Sequence, residues 1–132
     1  MGNSVFAVNA HASGQQLLAS LNINDSVKAE RSLLDIANAG DSNAQLAMAR
    51  IYESQNNPEQ NNGLIAEWYR KSAINGNAEA QFQLGLLYID GELSDGDRET
   101  GLFWVELAAE QGHFRAKIVQ ESLEEEEFSI GC

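Results

Sequence analysis

Two histidines, His11 and His113, and a single cysteine, Cys132, are the side chains of this 132-residue chain best able to act as base, nucleophile or soft metal ligand near neutral pH. They form no recognisable constellation. No Cys/His pair stands at zinc spacing, and a lone cysteine closes no intrachain disulfide. No Gly-x-Ser-x-Gly elbow, Ser-x-x-Lys nucleophile, phosphate loop or His-Glu-x-x-His segment occurs. His113 follows a glycine that reads as a helix end and His11 lies in a terminal stretch, so both read as surface residues without a catalytic companion. Neither an enzyme, a metal site nor a cofactor is expected.

The remaining chemistry is recognition. Eight Lys and Arg stand against twenty Asp and Glu, a formal charge of -12 that repels nucleic-acid backbones and anionic membranes. Four of the acids run together from Glu124 to Glu127, either as a solvated tail or as a dock for a basic partner. No apolar run approaches the roughly 18 residues of a membrane span. Ala10 to Ala12 has the small-x-small pattern of a signal-peptidase site, which implies the bacterial periplasm if residues 1–12 end an export signal and the cytoplasm otherwise.

Positioning falls to a repeated element. Trp68 and Trp104, Ala73 and Ala109, and Gly76 and Gly112 are each 36 residues apart, and the step extends to Ala44/Ala80, Gln45/Gln81, Tyr52/Tyr88 and Gly40. Asp25, Asn61 and Asp97 keep the same beat as candidate helix N-caps, and Gly40, Gly76 and Gly112 as helix stops. The apolar spacing between these marks predicts helices near 14–21, 26–39, 42–54, 60–75, 78–90, 97–111 and 114–124, and no strand. A helix pair of this size cannot bury its own apolar face, so neighbouring units must stack. The tryptophans and tyrosines then belong to the core, with Ala73 and Ala109 leaving room between close backbones.

The residues Ala80, Gln81, Leu84, Gly85, Tyr88, Gly91, Asp97, Trp104, Ala108, Ala109 and Gly112 resemble the SEL-one-like repeat, a relative of the tetratricopeptide repeat. The unit from Ala44 to Gly76 resembles it more loosely, with Met48-Ala49 in place of Leu-Gly, Gln55 in place of the loop glycine and Ser72 in place of an alanine. Both units depart at the alanine ahead of tryptophan, where Ile65 and Gly101 stand. The resemblance implies an all-α fold, a right-handed superhelix of antiparallel helix pairs. Its units fall near 13–40, 41–76 and 77–112, followed by a capping helix at 113–124 and a flexible acidic tail at 125–132.

The resemblance also implies a concave groove, lined by the first helix of each pair, that holds another protein or peptide. Positions facing that groove in tetratricopeptide repeats map to Asn43, Leu46, Arg50 and Glu53, to Glu79, Phe82, Leu86 and Ile89, and to Arg115, Ile118 and Ser122. Leu46, Phe82, Leu86 and Ile89 then either form an exposed apolar strip bordered by charge, with Phe82 as its principal anchor, or in part pack against adjacent helices. The function implied is that of a non-catalytic adaptor; the narrower alternative is an immunity-type inhibitor of a bacterial toxin. Relatives associated with penicillin binding or hydrolysis use paired cysteines, which this chain lacks, so a β-lactam-acting enzyme is the remoter alternative. Dimerisation through an exposed end of the array is a further expectation.

Overall fold

Six helices and no strand are found among residues 27–55, 58–93 and 96–131, which the computed structural model describes. They are α1 (27–38), α2 (Ser42–Ser54), α3 (Pro58–Ile74), α4 (Ala78–Ile89), α5 (Arg98–Glu110) and α6 (Phe114–Gly131). From α2 onward each helix packs on the next in the chain, and Leu33, Leu34 and Ala37 of α1 join the core built by α2 and α3. The result is a helical solenoid. The expected helix at 14–21, Asp25, the segment at 1–12 with His11, and Cys132 lie outside the described residues.

The turns between units repeat as the sequence does. Gly76, at φ 92°, donates to the Ala73 carbonyl over 3.0 Å while Asn77 donates to Ser72 over 3.1 Å, a Schellman closure that a left-handed glycine makes without strain. Gly40 with Asp41, and Gly112 with His113, make the equivalent pairs of bonds. The residue after each glycine then caps the next helix. Asp41 accepts from the Ala44 amide over 2.8 Å, Asn77 from Ala80 over 2.9 Å, and His113 through Nδ1 from Ala116 over 3.1 Å. Asp97 caps α5 as expected, and hydrogen bonds from the Thr100 amide and hydroxyl hold its carboxyl below the usual range.

Two boundaries differ from the sequence expectation. α3 begins at Pro58, ahead of Asn61, which therefore lies inside the helix and does not cap it. Proline suits a first helical position, where its fixed φ is already helical and its missing amide would have had no partner. α6 does not end near 124 but carries Glu124 to Glu127 on to Gly131, so residues 125–131 are helical where a flexible tail was expected. Glutamate is a good helix former, and the dipole penalty is confined to the last turn, which here lies beyond the glutamates. Arg98 also reaches Glu126 at 3.8 Å.

The repeated residues explain the packing. Trp68 is 7% exposed within a cluster that includes Ala37, Met48 and Ala49, whereas Trp104 is half-buried against the same cluster. Gln45 and Gln81 are buried and form a seam: each donates through Nε2 to a carbonyl of the preceding unit, Ala37 at 3.0 Å and Ala73 at 3.1 Å. Their own amide oxygens accept from Asn75 at 2.9 Å and from Gln111 at 2.8 Å. No buried side-chain nitrogen or oxygen among the described residues lacks a hydrogen-bond partner.

Gly101, which departs from the alanine of the repeat pattern, marks a close crossing. A Cβ added there would lie 2.7 Å from the Gly85 carbonyl oxygen and 2.8 Å from Ile89 Cγ1, and one on Gly85 would meet the Gly101 oxygen at 2.8 Å. One period earlier the corresponding buried residues are Ala49 and Ile65, so the first unit inserts a large side chain where the second brings two backbones together. Gly101→Ala should gain about 1 kcal/mol of helix propensity yet lose about 1 to 3 kcal/mol to overpacking, a net destabilisation in urea denaturation. Gly63→Ala in α3, with open space around the new methyl, should instead stabilise.

Candidate functional site

The first helices of successive units, α2, α4 and α6, lie beside one another and are joined by side chains. Arg50 Nη2 of α2 approaches Glu79 Oε1 of α4 at 3.4 Å, and the other carboxylate oxygen of Glu79 bonds His113 Nε2, at the head of α6. Asn77 donates to Asn43 over 2.9 Å, and Gln83 donates to Glu79 over 3.0 Å. His113 stacks on Phe82 with ring centroids 4.7 Å apart, and the Arg115 guanidinium lies 5.0 Å from the same ring. Glu53 hydrogen-bonds the Tyr69 hydroxyl, whose ionisation is pushed upward mainly by burial and further by that carboxylate.

Several residues proposed from sequence are on the surface of this layer. Asn43, Arg50, Glu53, Arg115, Ile118 and Ser122 are exposed, and Glu79, Leu86 and Ile89 are half-buried. The expected apolar strip is not exposed as such. Leu46 is 9% exposed and Phe82 only 1%. Phe82 instead anchors a second core cluster with Val105, Ala108, Ala109 and Ala116, against which Leu86 and Ile89 also pack. The reason is that the next unit covers it: His113 and Arg115 close over the ring that a single unit would have left open. The exposed apolar contact moves to α6, where Ile118 is 47% exposed and Phe114, one turn earlier, is 73% exposed.

His113 is the residue that sequence reasoning misplaced. Its side chain is 13% exposed and bridges two helices, so it is not a free surface histidine. The signal was available in the 36-residue register that aligns it with Asp41 and Asn77 as a helix cap. Burial raises the pKa of Glu79, but hydrogen bonds from His113 and Gln83 and the charges of His113 and Arg50 outweigh it and leave the carboxyl below its usual value. A depressed folded-state pKa means that the stabilisation is present above the unfolded-state value and is lost as pH falls through the folded-state one. Thermal melts from about pH 7 down to about pH 3 should therefore show a shallower acid loss in Glu79→Gln than in the parent.

Among the described residues no three His, Cys, Asp or Glu side chains gather as a metal-binding group, and no helix is long and apolar enough to cross a membrane. Stacked helix pairs with period-spaced caps and a polar side-by-side helix layer define a helical-repeat protein. The Sel1 repeat family model matches residues 42–77 and again 78–113. The chain belongs to the Sel1 repeat family, whose domains generally mediate protein–protein interaction. No curated protein matches the chain.

Proposed function

We propose that the chain is a non-catalytic adaptor that holds a partner polypeptide across the concave face of its first-helix layer. The observation that carries this reading is the exposure, on helices tied together through Glu79 and His113, of Arg50, Glu53, Arg115 and the apolar Ile118. Such a surface offers charged rim contacts and a compact apolar anchor, which is how helical and extended segments are commonly held. Asn43 and Ser122 add neutral hydrogen-bonding groups at its margins.

Affinity capture from the source cell, read by mass spectrometry, tests the assignment. Arg115→Glu/Ile118→Asp should lose a partner that the parent retains, with the helical circular dichroism unchanged. Phe103→Asp, at a 54% exposed residue of α5, should retain it. Equal retention by both variants would defeat the assignment of the binding face.

A further inference from the structure

A groove between α5 and α6, the last two described helices, is about 210 Å³ in volume and is lined by Leu102, Val105, Glu106, Gln120, Leu123 and Glu124. Subtracting one 36-residue period converts these to Ala66, Tyr69, Arg70, Leu84, Leu87 and Tyr88. That earlier groove is filled. Trp104 of α5 packs against the cluster containing Tyr69, Leu84 and Tyr88, all three of which are buried. The end groove is thus built on a template that accepts a helix one unit earlier, and among the described residues no helix occupies it.

Its chemistry has changed in one direction. The floor keeps apolar Leu102, Val105 and Leu123, while Arg70 has become Glu106, Leu84 has become Gln120 and Tyr88 has become Glu124; next to the lining in sequence, Gly85 has become Glu121. Residues 97–127 contain nine Asp and Glu against three Lys and Arg. Glu121 stands where Gly85 stands one unit earlier, so a carboxylate replaces the residue at which Gly85 and Gly101 bring two backbones together. A second copy of the chain would bring another charge of -12 against the same surface.

We infer that this end groove docks a basic amphipathic helix of a partner protein, which takes the place of the next helix in the stack. An apolar side chain of that helix enters between Leu102 and Leu123, as Trp104 enters the earlier groove, while its Lys or Arg side chains meet Glu106, Glu121 and Glu124. This site is separate from the first-helix layer and uses different residues.

The test uses a synthetic copy of Arg98–Glu110 carrying Glu99→Lys, Glu106→Lys and Glu110→Lys, titrated calorimetrically into the full chain. This peptide should bind about tenfold or more tightly than the same peptide with its glutamates retained. Glu106→Gln/Glu124→Gln in the protein should weaken binding about tenfold, whereas Asp35→Asn/Glu67→Gln, removing equal charge elsewhere, should change it by less than about threefold. Leu123→Ser should also weaken it, with folding checked by circular dichroism. No binding, equal loss in both double variants, or unchanged affinity with Leu123→Ser would overturn the inference. Loss of the captured partner on the first-helix layer would leave these peptide readouts unaffected.

Discussion

Trp68→Ala is expected to destabilise the protein by about 3 to 5 kcal/mol, a large share of a small domain's total stability. The indole is 7% exposed and belongs to a core cluster with residues from α1, α2, α3 and α4, so its removal leaves a cavity in that core. The surroundings can fill it only in part, because Ala37, Ala49 and Ala73 already bring those helices together. Trp104→Ala should cost less, since that ring is only half-buried and part of its surface remains in water. Chemical denaturation of the two variants provides the comparison; equal losses would contradict the unequal burial of the repeated rings.

Phe82→Glu should prevent the second unit from folding and should not act as a selective lesion in binding. A side chain that is 1% exposed offers no solvent to a carboxylate, and the adjacent His113 is already bonded to Glu79. Phe82→Ala isolates the packing component and should cost about 3 to 5 kcal/mol. Circular dichroism and urea denaturation check both substitutions. A natively folded Phe82→Glu protein with impaired partner capture would restore Phe82 to the binding surface.

The sequence carried most of the fold because the 36-residue register fixed the glycine turns, the Asp97 cap and the order of helices without any tertiary information. It was less informative about exposure. Phe82 occupies a groove position within one unit, but His113 and Arg115 of the next unit cover it, and this contact is absent from the pattern of either unit alone. The continuation of α6 was missed for another reason: the like charges of Glu124 to Glu127 signalled repulsion, while their helix propensity and the position of the helix end decide the outcome. His113 was legible only by aligning it with Asp41 and Asn77, residues of different chemistry that perform the same capping task.

The glutamine seam has a consequence for cooperativity. Gln81 donates to Ala73 behind it and accepts from Gln111 ahead of it, so freeing one end strands polar groups in both adjoining layers. The two units joined at Gln81 therefore resist opening separately, like beads sharing a clasp.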